Sequence, residues 1–563
     1  MLHHADRYFY AWRLGVILDA NDNTADVVTL EQVDTGLVDV PSDFDESAYA
    51  MAFPDVAESV RVGRCPSLLV HYTKHGVLEN RLSQPRYQNA LRSQRRLRDV
   101  ALRGVPTVQS DRPAPSGLDA VFVADGNFCV VIGWIDDRSQ PLHAVSLELA
   151  DGRCIRTTSF ARCRRADAEI STGCQTSHLL GFWTVLSAGT EQSAATDGTI
   201  VLEHGGAISR HPSHPRMMAA TTLRDTLFEY IANAAYFGAP AVESFLQMEG
   251  GIGAALLHMN RGVSERFVEH AHVERHGNHD RKFRASIVVC LYGRPEFLFL
   301  QAALYSASPA ARDYEFVYVC NSPELTEPLQ REAEIAHRIY GLSLTMIYLP
   351  GNVGFGAANN LAISIAASQR ILIMNPDVFP RDASWAELHT QIIETLPAVQ
   401  TQIFGAPLFY DDGSLMHGGM FLVVDAGLSV KPQNIVRQEL LRVEHYGKGA
   451  PPNSQLYRSS RRVPAVSGAF MSVERSWFEK IGGFSEDFVF GHYEDADLCL
   501  KSWQAGGEVW MHNLPLWHLE GKGSVRRIHH EGGSLVNRWH FTKTWLDLVS
   551  REFRGPSPHR LSA

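Results

Sequence analysis

The chain has 563 residues, which at roughly 100 to 200 residues per domain implies three or four domains rather than one core. Hydrophobic residues make up 45% and charged residues 20%, the balance of an ordinary folded protein, which excludes a disordered chain and a disulfide scaffold. With 52 Lys+Arg against 62 Asp+Glu the net charge is −10, so chain-wide attraction to nucleic acid or anionic lipid is excluded, although local basic patches are not. The eight cysteines (Cys65, Cys129, Cys154, Cys163, Cys174, Cys290, Cys320, Cys499) never form a Cys-x-x-Cys pair, so no structural zinc pattern exists and a reducing compartment suits them. The start, Met-Leu-His-His-Ala-Asp-Arg, has no apolar signal region, and no stretch reaches the roughly 18 apolar residues that span a bilayer. A cytoplasmic location is the expectation.

Residues 1–43 hold strand-like runs such as Ala25–Leu30 and no motif that carries chemistry. Over 44–83, Tyr49, Phe53, Val56, Val60, Leu68, Leu69 and Tyr72 recur at helical spacings, which predicts a small helical module. Its Phe53-Pro54-Asp55-Val56 core and His71-Tyr72…His75-Gly76 ending resemble a short segment found beside catalytic domains in bacterial glycosyltransferases. Residues 84–117, with Arg92, Arg95, Arg96 and Arg98 before a Pro-rich stretch, read as a basic, solvated helix and a linker. Over 118–210 the period becomes two: Val145, Leu147 and Leu149 alternate with Ser146 and Glu148, and Asp125-Gly126-Asn127 and Asp151-Gly152 supply hairpin turns. That predicts an all-β, sandwich-like module, structural or docking in role, with carbohydrate binding as the alternative. Residues 211–283 have a helical pattern (Leu223, Leu227, Tyr230, Ile231, Phe245, Leu246) that gives way to a polar run, a helical linker. From 284 to 545 strands and helices alternate regularly, the signature of a parallel sheet covered by helices, and 546–563 form a C-terminal tail.

The chemistry-bearing residues fall at the ends of the strands in this last region. The run Ala285–Leu291 stops at Tyr292-Gly293-Arg294-Pro295-Glu296, and the next strand ends in Cys320-Asn321. Ligands of open α/β sheets bind at such carboxyl ends. The loop from Asn352 to Asn360 contains Gly354 and Gly356 and opens a helix, where small residues and free N–H groups admit an anion; a plain helix start is the bland alternative. Asn375-Pro376-Asp377 is a common turn sequence, yet here it caps a buried strand, where carboxylate and amide oxygens would suit Mg²⁺ or Mn²⁺ with a diphosphate. Gly468 marks a close approach of backbone. The run Phe488 to Leu498 brings Tyr493, Glu494 and Asp495 to a helix start, where acidic residues suit the dipole and a carboxylate could take a proton from a hydroxyl. His518 stands beside a glycine-rich basic loop whose Lys522 and Arg526 would neutralise a diphosphate.

These pieces, in this order over about 284–540, resemble the glycosyltransferase family 2 catalytic domain of GT-A fold, in its bacterial rhamnosyltransferase-like branch. The resemblance implies a multidomain chain with a C-terminal α/β, Rossmann-like nucleotide-diphospho-sugar transferase domain behind the helical and β modules. It implies an inverting, metal-dependent enzyme that moves a sugar from a nucleotide-diphospho-sugar donor to a saccharide or lipid-linked saccharide acceptor in cell-surface polysaccharide synthesis. By the same resemblance Asp495 is the base, Asp377 and His518 hold the metal or diphosphate, and Asn375 takes the weakened position of an Asp-x-Asp motif. Leu291, Tyr292, Glu296, Asn321, Asn352 and Gly354 line the nucleotide pocket, and Gly468, Tyr493 and Glu494 face the acceptor. Cys320-Asn321 replaces the family's usual Asp, which leaves open the base that is read and leaves a decayed, binding-only scaffold as the alternative. A nucleotidyltransferase fits less well, because the loop after the first strand is not a Gly-rich, basic one. The segment Leu535–Phe553, with Trp539, Phe541 and Trp545 among basic residues, either packs on the domain or rests peripherally on the inner membrane face.

Overall fold

A computed structural model describes residues 49–50, 53–61, 68–71, 114–124, 128–163, 165–173, 179–187, 197–236, 241–395, 401–431, 434–451, 460–524 and 528–553. The segment 1–43, most of the basic helix and linker, Arg526 and the last ten residues of the tail lie outside them. Within 44–83 the described helices include Pro54–Arg61 and Leu68–His71, and His71 Nδ1 of the second lies 3.2 Å from the Tyr49 hydroxyl, upstream of the first.

Two sheets form the β region. One runs in the order Ala161–Cys163, Gly181–Ser187, Phe128–Ile135, Ser116–Ala124, Arg216–Met218; the other in the order Cys154–Thr157, Leu142–Leu149, Gly198–His204, Ala207–Ser213. Alternate side chains share a core between the two: Val123, Cys129 and Val131 from the first, Val145, Leu147, Ile200 and Leu202 from the second. The last strands of this region, Ala207–Ser213 and Arg216–Met218, reach past residue 210, because each finds its hydrogen-bond partners within these sheets.

The other large sheet has nine strands, in the order His272–His276, Ser343–Tyr348, Tyr314–Cys320, Ala285–Leu291, Arg370–Met374, Phe470–Glu474, Thr401–Gly405, Glu508–Met511, Arg461–Arg462. Its first edge strand was expected to be part of the linker. It pairs antiparallel with Ser343–Tyr348, and its His, Glu and Arg side chains suit an edge that meets solvent. The strands at 285, 314, 343 and 370 are mutually parallel with their neighbours. Every residue of the first three is buried, which explains their largely apolar runs. The charged residue inside them is satisfied by its polar neighbours: buried Glu315 accepts from Ser286 Oγ (2.6 Å), Thr345 Oγ1 (2.9 Å) and the Ala367 N–H (2.7 Å). Going along the chain, the order grows outward from 285 to 314 to 343 and then returns to place 370 on the other side. That reversal puts a crevice between Leu291 and Met374 at the carboxyl ends.

The terminal helix runs Ile528–Glu552, so the expected boundary at 545 falls inside it. Its Val536, Trp539, Phe541, Trp545 and Val549 are buried in the cores that join this helix to Ala220–Tyr236, to the sheet and to the 489–490 loop. These aromatic side chains therefore pack inward, which removes the face on which a membrane contact was expected. Among the described residues no helix is long and apolar enough to cross a membrane.

Candidate active site

A cavity of about 460 Å³ opens at the carboxyl ends of the parallel strands. Tyr292, Asn321, Asn352, Asn375, Asp377, Gly468, Tyr493, Glu494, Asp495 and His518 all line it, although the chain spreads them over more than 220 positions.

Asn321 builds the glycine loop. Its Oδ1 accepts the Val353 N–H at 2.9 Å, and its Nδ2 donates to Asn352 Oδ1 at 3.0 Å and to the Gly354 carbonyl at 3.3 Å. Both ends of the amide are thus committed to the loop, so Asn321 shapes the pocket rather than reading a base with a free side chain. Gly354 has φ +84°, and a Cβ there would stand 3.2 Å from the Phe490 backbone nitrogen. The next residue donates its N–H to the Phe490 carbonyl at 2.6 Å. The loop also leans on a residue from outside the sheet: Arg224, 1% exposed, donates to the Asn352 carbonyl at 2.9 Å and lies 4.8 Å over the Phe490 ring.

The approach to the acidic motif is held in unusual backbone. Phe490, His492 and Tyr493 have φ of +59°, +81° and +76°, the left-handed region that costs a side-chain-bearing residue energy. Asn537 of the terminal helix compensates by bonding this loop from one side. It accepts from the Val489 N–H (2.7 Å) and donates to the carbonyls of Val489 (2.9 Å), Gly491 (2.7 Å) and His492 (3.2 Å). The helix Glu494–Gln504 then starts with three acidic residues in its first turn. Asp495 Oδ2 accepts the Gly468 N–H at 2.9 Å and Oδ1 accepts the Ala496 N–H at 2.8 Å, which leaves a lone pair free on each oxygen. Burial raises the Asp495 carboxyl above its ordinary value against the pull of those two N–H groups, a shift that makes it a stronger base. Glu494 is 6% exposed and its Oε2 has no hydrogen-bond partner. Burial first, and the Asp495 charge second, push its carboxyl well up, so of the two neighbours Glu494 holds a proton the more readily. Asp497 turns away to Trp545 Nε1 (2.8 Å) and Lys501 (2.9 Å) and anchors the helix.

On the other side Asp377 is 3% exposed. Its Oδ1 meets His518 Nε2 at 3.3 Å, and its Oδ2 accepts the N–H groups of Lys522 (3.2 Å) and Gly523 (2.9 Å). Burial raises this carboxyl, but His518 and the Gly523 N–H outweigh it and hold it below its usual value, so it is ionised. A Cβ at Gly523 would fall 2.7 Å from Asp377 Oδ1, hence the glycine. Among the described residues no group of three His, Cys, Asp or Glu side chains could hold a metal ion. The donors that converge are two, Asp377 Oδ1 and His518 Nε2, 3.3 Å apart. That pair fits a hard divalent ion that takes its other ligands from a diphosphate and water.

Four expected pocket residues lie elsewhere. Leu291 is fully buried in the sheet core, because a strand side chain at that position faces the covering helices. Glu296 is exposed at a helix start, 3.4 Å from Arg294, and does not reach the cavity. Gly354 sits beneath the wall against Phe490. Lys522 is exposed, and its backbone N–H rather than its ammonium meets Asp377. Residues not anticipated also line the cavity: Met416, Met420, Val443 and His445 from the strands that precede and form a long hairpin, then Glu520, Phe490 and His530. No local motif marks them; Met420 stands opposite His445 only through the register of the hairpin.

No protein-family model matches the chain. Over 158 residues it is 27% identical to a probable N-acetylgalactosaminyltransferase 7 of Caenorhabditis elegans, covering 26% of this chain and 23% of that protein. It is 26% identical over 167 residues to the uncharacterized protein y4gI of Sinorhizobium fredii (strain NBRC 101917 / NGR234), covering 30% and 17%. An inactive polypeptide N-acetylgalactosaminyltransferase-like protein 5 of Macaca fascicularis is 26% identical over 95 residues, covering 16% and 21%. The chain thus spans less than a quarter of the length of these curated relatives, and over part of it there is weak sequence similarity to N-acetylgalactosaminyltransferases. Among solved structures, GalNAc-T7 with UDP, GalNAc and Mn²⁺ aligns with a TM-score of 0.31 at 13% identity, over 48% of this chain and 50% of that one. Mannosyltransferase PcManGT from Pyrobaculum calidifontis with GDP-Man and Mn²⁺ aligns with a TM-score of 0.29 at 12% identity, over 59% and 88%. At such scores the superpositions carry no argument about function.

Proposed function

We propose that the chain is an inverting glycosyltransferase that uses a nucleotide-diphospho-sugar donor and a saccharide or lipid-linked saccharide acceptor. The observation that carries this reading is one cavity with two differently tuned carboxylates: Asp495, raised and free to take a proton, and Asp377, lowered and paired with His518. The distant similarity to an N-acetylgalactosaminyltransferase supports the glycosyl-transfer part of this reading; inversion rests on the motif resemblance. Family 2 membership, a place near bacterial rhamnosyltransferases and a role in cell-surface polysaccharide synthesis rest on the motif resemblance.

In the proposed reaction Asp495 accepts the proton of an acceptor hydroxyl as its oxygen attacks the anomeric carbon. The bond from that carbon to the diphosphate oxygen breaks and its electron pair leaves with the nucleoside diphosphate, so one displacement inverts the centre. Glu494, whose carboxyl burial favours in its neutral form, would when protonated offer a hydrogen-bond donor to sugar oxygens. Asp377 and His518 would hold a divalent ion, which when bound neutralises charge on the leaving diphosphate. The glycine loop, fixed by Asn321 and Arg224, walls the nucleotide side. A thermal-shift screen of UDP, GDP, CDP and dTDP with and without Mn²⁺, followed by hydrolysis of the matching nucleotide-sugars, tests the reading. Manganese-dependent stabilisation by one base together with turnover is expected. Absence of both transfer and hydrolysis with every donor would sink it.

A further inference from the structure

His445 lines the cavity and His417 is buried behind it, a pair of histidines that the proposed reaction does not use. His417 Nδ1 and His445 Nδ1 are 2.9 Å apart, and the Ser467 N–H points at His417 Nε2 from 3.3 Å. A backbone N–H can only donate, so His417 Nε2 is an acceptor and the proton of the neutral ring sits on Nδ1. That proton is donated to His445 Nδ1, so neutral His445 must carry its own proton on Nε2. Burial keeps both rings neutral: it drives His417 well below its ordinary value and His445 to about 4. His445 is partly exposed and lines the cavity, and Nε2 is its ring nitrogen not engaged with His417.

The surroundings of that N–H complete a recognisable chemistry. Glu520, which also lines the cavity, is within electrostatic reach of the His445 ring. It is held by Tyr410 Oη at 2.6 Å and Lys448 Nζ at 2.9 Å, and the Lys448 charge cancels its own. The wall beside these groups is apolar: Met416, Met420 and Val443. A fixed donor, a fixed acceptor and an apolar floor, with no net charge, match the edge hydroxyls and C–H face of a neutral pyranose.

We infer that His445, oriented by His417 and the Ser467 N–H, forms with Glu520, Met416, Met420 and Val443 a subsite that binds a neutral pyranose of the acceptor through a neighbouring pair of hydroxyls. This deepens the proposed function and rests on it for the word acceptor, but the sugar-binding claim stands on the geometry alone.

The test is saturation-transfer NMR of the full chain, without donor, using methyl glycosides of galactose, N-acetylgalactosamine, mannose and rhamnose as probes. The variants are His445→Phe, which keeps a ring of similar size, and Tyr410→Phe, which removes one of the two groups that hold Glu520 and leaves Lys448 in place. The expected result is transfer to at least one glycoside by the wild type, reduced at least fivefold in His445→Phe and reduced in Tyr410→Phe, with thermal stabilisation by nucleoside diphosphates changed less than twofold. Signal retained in a folded His445→Phe, an unaltered Tyr410→Phe, or no signal from the wild type with any probe overturns the subsite. Failure of the wild type to bind any nucleoside diphosphate or turn over any donor would instead overturn the transferase reading, since the saccharide signal does not depend on it.

Discussion

Asn537 holds Val489 by both backbone groups, accepting its N–H at 2.7 Å and donating to its carbonyl at 2.9 Å. The same side chain reaches Gly491 and His492, so one buried amide on the terminal helix holds the loop whose Phe490, His492 and Tyr493 are left-handed. Asn537→Ala removes all of these bonds and should cost about 2 to 4 kcal/mol, on the order of 1 kcal/mol per bond. Because the loop sets the start of the Asp495 helix, turnover should fall at least tenfold even below the melting temperature. Calorimetry paired with donor-hydrolysis rates checks both.

Asp495→Asn keeps the shape of the side chain and an oxygen for the Gly468 N–H, but it removes the proton acceptor. Turnover should drop roughly 10²- to 10⁴-fold, the usual share of a positioned base, while nucleotide binding persists. The base acts only when ionised, and burial raises its carboxyl. Activity should therefore fall as pH falls, with the half-point above the ordinary aspartate value, and a pH–rate profile reads it directly. Loss of nucleotide binding in the variant would speak against this role.

Gly523→Ala places a methyl group 2.7 Å from Asp377 Oδ1, so the carboxylate must move off His518 or the loop must open. The expected phenotype copies Asp377→Asn: the manganese-dependent part of the thermal shift by nucleoside diphosphate disappears. Titration calorimetry with and without Mn²⁺ separates this from general destabilisation, which would weaken binding equally in both.

Buried histidines make the fold acid-sensitive. Burial, with the Arg370 charge second, lowers His389 to about 3, and burial with Lys448 lowers His445 to about 4. In the unfolded chain both take up protons near 6.5, so between those values the unfolded state binds more protons and stability falls as pH falls. The melting temperature should decline steadily from about pH 6.5 towards pH 4, and His389→Gln, which remains neutral, should flatten the slope. An unchanged slope would show that other groups dominate.

The central strands could be read in the sequence because burial on both faces leaves continuous apolar runs, as in Ala285–Leu291. The motif residues Asn352, Asp377 and Asp495 could be read because turns and glycines must sit where the chain leaves the sheet. Asn321 was located, but its bonds to Val353 and Asn352 depend on which loop lies beside it, and composition does not encode that. His445 and Glu520 were missed for the same kind of reason. One faces the cavity through hairpin register, the other through the turn that brings Gly523 onto Asp377. Glu296 was misplaced because a helix start after a strand end offers several outward directions, and only one faces the crevice.

Arg224 lies some sixty positions before the first strand of the parallel sheet, yet its guanidinium supports the Asn352 carbonyl and the Phe490 ring. The neighbouring Glu249 accepts from Trp539 Nε1 at 2.8 Å and from Lys543 at 2.9 Å, and Phe228 packs edge-on to Phe490. A fragment cut at residue 284 would keep every residue with an assigned chemical role and lose these supports. It should then expose the apolar faces of Val489, Phe490 and Trp539 and aggregate, whereas a fragment that keeps the helix Ala220–Tyr236 and the strands Phe128–Ile135 and Gly181–Ser187, which share that core, keeps them covered. The smallest autonomous piece of this protein is thus set by the underside of its pocket rather than by its catalytic motifs.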